Sequence, residues 1–243
     1  MQLVIDIGNT RIKAAIFKEK ELLQHFIYNS LEIIDVKQLI DKYSITNAIV
    51  CSVANEIDEF VNALFNKTNT MLFKADTPIP IINMYQSKST LGSDRIVAAI
   101  GAYSLFPNEN VLVIDAGTCL KYNFTNNKNE YLGGAISPGL QMRFIALQNY
   151  TARLPLVEPD IAYEKWMGTT TNESILTGVQ IAMLHEIEGF VEQYTTNYDK
   201  LTIVLTGGDA NFFEKRLKKT IFADPFIMLK GLNEILLHNL IKA

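Results

Sequence analysis

The sequence predicts an α/β fold made of a duplicated unit, with a cleft between the two copies. Two observations carry this. An apolar strand that ends on Asp-x-Gly and a small hydroxyl residue, followed by a second strand, a polar turn and a third strand, begins at residue 2 (QLVIDIGNTRIKAAIF). The same order returns at residue 111 (VLVIDAGTCLKYNF), and such self-similarity marks a repeated structural unit. Between and after these segments lie stretches with the apolar spacing of helices. Asp, Gly and Asn are ordinary turn residues. Two such turns in register inside a repeat suggest a shared binding cleft.

In chain order, residues 2–5, 11–17 and 22–28 read as strands, with the charged turn KEKE between the second and third. Residues 31–43 have helical spacing, with Ser30 as an N-cap. A short buried strand at 47–53, a helix at 56–66 and a strand at 71–73 follow. The Pro-containing stretch 76–95 reads as irregular and exposed, and 95–106 as a helix with small residues on one face. Strands then recur at 111–115, 119–124 and 131–136. Helices at 139–151 and 173–195, a strand at 201–208, and helices at 210–219 and 231–242 complete the chain. The repeat places domains at 1–109 and 110–243.

Composition narrows the class. Of 243 residues, 48% are hydrophobic and 20% charged, which allows a real core. A net charge of −4 gives no basic footprint for nucleic acid. No apolar run is long enough to span a bilayer, and Asp6 interrupts the N-terminal stretch where a signal peptide would stay apolar. Cys51 and Cys119 read as buried free thiols. His25, His185 and His238 are isolated and read as surface or packing residues. Trp166 and the stripe Ile181, Leu184, Ile187 and Phe190 read as helix packing or a dimer contact. A cytoplasmic protein fits this pattern.

The chemistry concentrates at the turns. In open α/β sheets ligands bind beyond the carboxyl ends of strands. Gly8 and Gly117 let backbone approach a bulky anion. Turn amides, with the hydroxyls of Thr10 and Thr118, can donate to phosphate oxygens, and Lys13 adds a positive charge. Asp6 repels phosphate, so its natural task is to hold Mg²⁺. A third strand end, IVLTGGDA (203–210), offers flat Gly-Gly backbone for a purine and Asp209 as a helix cap; it is equally an ordinary strand-to-helix turn. Gly92, Ser93, Asp94 and Arg95 stand where a helix begins, and its N-terminus favours anions. An Asp there is often only a cap. With Arg95 beside it, the pair can hold a small acid: Arg95 pairs with a carboxylate and Asp94 takes a proton from a hydroxyl.

DIGNTRIK, GSDR, DAGT, GGAISPGL, TARLP and the Gly-x-x-Thr-x-Glu of GTTTNES occur in the order found in type III pantothenate kinases. The chain resembles that family, part of the acetate and sugar kinase, heat-shock 70 and actin superfamily, from residue 1 to about 210. The resemblance implies duplicated ribonuclease-H-like, actin-like ATPase domains with mixed sheets and an interdomain cleft. It also implies ATP-dependent phosphorylation of pantothenate, the first step of coenzyme A biosynthesis, by a homodimer needing Mg²⁺ and a monovalent cation, K⁺ or NH₄⁺.

Carried over by position, Asp6, Ile7, Gly8, Asn9, Thr10, Arg11, Ile12, Lys13 and Thr118 would contact ATP. Asp94 would accept the proton, and Tyr85, Gly92, Ser93, Asp94 and Arg95 would form the pantothenate site. Asp115 would bind the monovalent cation. Thr171 would reach pantothenate across the dimer interface, with Thr170 as second choice in the run of three threonines. One departure stands out. The family commonly continues Asp-x-Gly-Thr with Ala-x-Thr and then an acidic residue, whereas this chain has Cys119, Lys121 and Asn123. A lysine and a neutral amide there would weaken or replace a potassium requirement. The rival readings are a superfamily kinase with another small acid or sugar as acceptor, and a non-enzymatic accessory factor for transcription.

Overall fold

Strand β1 (Gln2–Ile7) runs through the centre of the first of two sheets because four of its six side chains are apolar, and Leu3, Val4 and Ile5 are fully buried. It pairs antiparallel with β2 (Ile12–Lys18), which pairs antiparallel with β3 (Glu21–Tyr28). On its other side it pairs parallel with β4 (Asn47–Ser52), which pairs parallel with β5 (Asn69–Leu72). The order is therefore β3-β2-β1-β4-β5. Helix α1 (Ile33–Tyr43) crosses between β3 and β4. The computed structural model describes residues 1–8, 11–29, 33–52, 62, 64–218 and 221–241. The Ser30 cap and most of the helix expected at 56–66 lie outside them.

The chain divides into two units: Met1–Pro107 with Asn129–Tyr131 and Phe226–Ala243, and Asn108–Lys128 with Leu132–Pro225. In the first, the stretch expected to be irregular holds a two-residue strand, β6 (Ile82–Asn83), paired parallel with Glu130 and Tyr131, and a single 3₁₀ turn at Lys88–Thr90. Helix α2 (Ser93–Leu105) begins two residues earlier than the sequence suggested and buries everything from Arg95 to Ala102.

The second unit repeats the pattern. Strand β7 (Asn110–Ala116) pairs antiparallel with β8 (Cys119–Thr125) and parallel with β10 (Leu201–Thr206), which pairs parallel with β11 (Phe222–Ala223). With β9 (Glu130–Pro138) beside β8, the order β9-β8-β7-β10-β11 matches β3-β2-β1-β4-β5. This strand-for-strand match is the duplicated ribonuclease-H-like arrangement.

Around that sheet lie α3 (Leu140–Asn149), α4 (Thr171–Leu176), α5 (Ala182–Asn197) and α6 (Ala210–Glu214). The helix expected at 173–195 is interrupted by a π-helical turn at Thr177–Ile181, a rare irregularity that occurs mostly as a single turn inside an α-helix. In that turn Gln180 is fully buried: its amide donates to the Asp160 carbonyl at 2.8 Å and its oxygen accepts from the Asp160 amide at 3.2 Å. Ile181, Leu184 and Ile187 join the core, and Phe190 stacks on Tyr122 at 4.2 Å. Trp166, expected to pack, is 79% exposed, and Cys119, expected to be buried, is half-buried. His25 packs against Phe226 at 4.6 Å. Strand β10 stops at Thr206 because Gly207 turns to a φ of +99°. Helix α6 ends at Glu214, well short of residue 219.

The last helix, α7 (Ile227–Leu240), starts four residues earlier than expected and returns to the first unit, packing on α2, β1 and β4. Small residues let the two helices approach closely. A Cβ on Gly101 would fall 2.1 Å from the Ile227 carbonyl oxygen, and one on Gly231 would fall 2.1 Å from that of Val97. Backbone cannot yield as a side-chain tip does, so overpacking here must separate the helices. Gly231→Ala is predicted to lower stability by roughly 1–3 kcal/mol, read as a lower urea midpoint with unchanged slope. An unchanged midpoint would mean that the helices separate at no cost.

Candidate active site

In the first unit three elements bring acidic and hydroxyl side chains together. Asp6 closes the apolar run of β1, and the parallel register sets it beside Cys51 of β4. The thiol of Cys51 is buried, accepts a contact from the Ser93 hydroxyl, and lies within electrostatic reach of both Asp6 and Asp94. Burial first, and then the two carboxylates, push this thiol up to about 12, so it stays protonated at neutral pH. Cys51 is the residue that sequence reasoning missed, because nothing local to VCSV announces that β4 will lie beside Asp6.

The turn after Asp6 is tight: the Gly8 amide donates to the Arg11 carbonyl at 3.1 Å. Ile7 and Ile12 are buried partners at the top of the hairpin, and Lys13 stands opposite Asp6 across it. Arg11 is exposed. Asn9 and Thr10 lie outside the described residues.

At the start of α2, Asp94 turns back so that its Oδ1 accepts the Arg95 amide at 2.9 Å. A Cβ on Gly92 would come within 2.6 Å of that same oxygen, so the glycine makes room for the carboxylate. Arg95, read from sequence as the partner of a substrate carboxylate, is only 4% exposed. Its guanidinium lies over the Tyr85 ring, 5.4 Å from the centroid, and Nη1 donates to the Tyr85 hydroxyl at 3.4 Å. Tyr85 and Arg95 are ten residues apart, and the fold puts them in contact.

In the second unit, two glycine-bearing segments converge on the turn after Asp115. The Gly117 amide donates to the Cys119 carbonyl at 3.1 Å. A Cβ on Gly139 would fall 2.2 Å from the Gly117 oxygen, and one on Gly207 would fall 2.2 Å from the Ala116 oxygen. The Asp209 amide also donates to Ala116, at 2.9 Å. Asp209 occupies the cap position of α6, but its side chain makes no capping bond, and burial raises its carboxyl above the usual range. Thr118 is exposed at the tip of the turn, and a Cβ on Gly208 would meet only open space. Asp115 itself pairs with Lys121, Oδ2 to Nζ, at 2.7 Å.

The threonine run separates by role. Thr170 is the N-cap of α4, its hydroxyl accepting the Glu173 amide at 3.2 Å. Glu173 reaches back to the Thr169 amide and hydroxyl at 2.9 and 2.8 Å and pairs with Lys165. Thr171, the first residue of the helix, is exposed. Among the described residues no group of three or more His, Cys, Asp or Glu is placed to hold a metal ion, and no helix is long and apolar enough to cross a membrane.

Residues 2–193 match the family model for type III pantothenate kinase. The chain belongs to that family. The type III pantothenate kinases of Bacteroides fragilis and Cytophaga hutchinsonii are each 42% identical to it, over 98% of this chain and 98% and 100% of theirs. Among solved structures, a Campylobacter jejuni protein named with the Baf family transcriptional activators superposes with a TM-score of 0.62 at 20% identity, covering 98% of both chains. A ROK hexokinase from Thermus thermophilus gives 0.52 at 11% identity, covering 98% of this chain and 99% of its own. At those identities the structural likenesses speak for the fold alone.

Within the family's Gly-x-x-Thr-x-Glu segment, Glu173 can be tested through pH. Its carboxyl is held down to about 2 from 4.5, first by the Lys165 hydrogen bond and then by the Thr169 amide and hydroxyl. A depressed folded-state pKa gives stability that is complete above the unfolded value and is lost as pH falls through the folded one. Glu173→Gln is therefore predicted to melt below the wild type at neutral pH. The gap should close as pH is lowered from about 4.5 towards 2. A gap independent of pH in thermal melts would locate the effect elsewhere.

Proposed function

We propose that this protein transfers the γ-phosphoryl group of ATP to the primary hydroxyl of pantothenate, giving 4′-phosphopantothenate in the first step of coenzyme A biosynthesis. Beside family membership, one observation supports the reading most: Asp6 and Asp94 come from elements far apart in sequence, yet both act on the same Cys51 thiol. Two carboxylates within electrostatic reach of one buried thiol suit two roles, one toward a metal-bound phosphate and one toward the attacking alcohol.

Phosphoryl transfer passes through a loose transition state, so catalysis is mostly positioning and charge neutralisation. Asp94 orients the hydroxyl and accepts its proton. Ser93 and Gly92 shape the helix start around it. Arg95 meets the substrate's carboxylate, with its guanidinium held over the Tyr85 ring. Residues 6–13 are assigned to the triphosphate, as is the hydroxyl of Thr118, exposed at the tip of its own turn. Mg²⁺ is commonly held by one or two carboxylates with waters and phosphate oxygens completing the shell. Asp6 at the strand end fits that requirement without a third protein ligand, and the bound ion would offset phosphate charge. Thr171, with its hydroxyl free of the capping duty that Thr170 performs, is the residue we assign to the substrate of the partner subunit in a homodimer. A cytoplasmic enzyme accords with this activity.

Asp94→Asn is predicted to keep the fold, judged by its melting curve, and to lose turnover by roughly two to four orders of magnitude, the scale of general-base loss. ADP release should be measured with pantothenate, sugars and acetate in parallel. Near-normal turnover in the variant would reject the role of Asp94, and faster release with a sugar or acetate would reject pantothenate as the acceptor.

A further inference from the structure

The monovalent cation that the family resemblance attaches to Asp115 meets a different arrangement in this chain. Lys121 stands directly across the β7–β8 hairpin from Asp115, with Nζ 2.7 Å from Oδ2. The two side chains are only 15% and 13% exposed, so this is an interior pair rather than a surface contact. The other carboxylate oxygen, Oδ1, lies so close to Gly207 that a Cβ there would come within 2.7 Å of it. Both oxygens of Asp115 therefore have neighbours supplied by the chain. Two residues further along the same face of β8, where the family commonly has an acid, stands Asn123, 1% exposed. The strand pair thus presents one carboxylate and one ammonium, a balanced set.

We propose that Lys121 is a tethered replacement for that cation, so that phosphoryl transfer by this protein needs neither added potassium nor added ammonium. The inference rests on the pantothenate kinase reading. An ammonium on a flexible stem is a compact point charge, as a potassium ion is. Being tethered, it is present at Asp115 without a binding equilibrium. A free cation at the same carboxylate would sit against a like charge in a site with little water to screen it. The residues present therefore do not fit a separate monovalent ion. The geometry assigns Lys121 to steadying Asp115 beneath the Gly117–Thr118 turn, a positioning role.

The test uses the full-length protein with ATP, Mg²⁺ and pantothenate, in buffer whose only monovalent cation is tetramethylammonium, and the same buffer with potassium or ammonium chloride. The wild type should change by less than about twofold, and potassium should not raise its melting temperature. Lys121→Ala should lose about tenfold to a hundredfold in the tetramethylammonium buffer, the scale of removing one fixed electrostatic stabiliser. Potassium or ammonium should restore much of that rate and raise the variant's melting temperature, as a ligand of the folded state does. A wild type strongly stimulated by potassium overturns the inference, whether or not the variant folds. A wild type silent toward pantothenate in every salt overturns the kinase reading instead, and the melting responses to potassium then decide the role of Lys121 alone.

Discussion

The parallel pairing of β1 with β4, repeated as β7 with β10, is the constraint on which the rest of the molecule depends. Two parallel neighbours end at the same edge of the sheet, so whatever lies at their carboxyl ends is brought together there. In the first unit this edge joins Asp6 to Cys51, and in the second it joins Asp115 to Thr206 and the glycines after it. The antiparallel hairpin on the other side contributes the next strand's residues to the same end. It sets Lys13 opposite Asp6 and Lys121 opposite Asp115. A site of this kind is a consequence of strand order, and the apolar run of each central strand fixes that order by demanding burial on both faces.

Close approach of backbone completes the arrangement. Gly139 and Gly207 let two separate segments press against the turn after Asp115, holding its peptide groups from both sides. Gly101 and Gly231 do the same for α2 and α7, and α2 carries Asp94 and Arg95 at its first turn. The helix that bears the acidic residue is thereby seated on the helix that covers the sheet. Burying Arg95 at 4% exposure would be costly for an isolated guanidinium. Stacking on Tyr85 and the bond to its hydroxyl offset part of that cost and hold the group in one orientation.

Much of this was legible in the sequence because it is local. The two Asp-x-Gly turns, the strands flanking them and the helix after Gly-Ser-Asp-Arg each follow from apolar period and turn chemistry within a dozen residues. What could not be read is what depends on pairing between distant segments. Cys51 looked like an ordinary core thiol, since its neighbour across the sheet is Asp6, 45 positions away. The return of α7 to the first unit has no local mark either. Of the two readings of Trp166, helix packing within the chain is set aside, because at the end of an irregular segment it stands exposed. The π-helical turn at Thr177–Ile181 escaped because Gln180 is held by loop carbonyl and amide groups near residue 160, which a helical pattern does not reveal.

Duplication has given two hairpins of one design and different charge. Around the first, Asp6 and Asp94 both lie within electrostatic reach of a thiol that burial keeps protonated, and Lys13 stands across the hairpin from Asp6. On the proposed reading a carboxylate at this strand end suits a divalent ion with anionic ligands of its own, since the ion can satisfy carboxylate and phosphate together. Around the second, Asp115 is matched by Lys121, and Asn123 adds no charge. A balanced pair neither attracts a metal nor repels a phosphate, which on the proposed reading leaves Thr118 to act through hydrogen bonds. On the proposed reading the same fold unit supplies a cation-holding end and a neutral anion-receiving end. The difference between them comes from a few side chains set on strands that otherwise correspond.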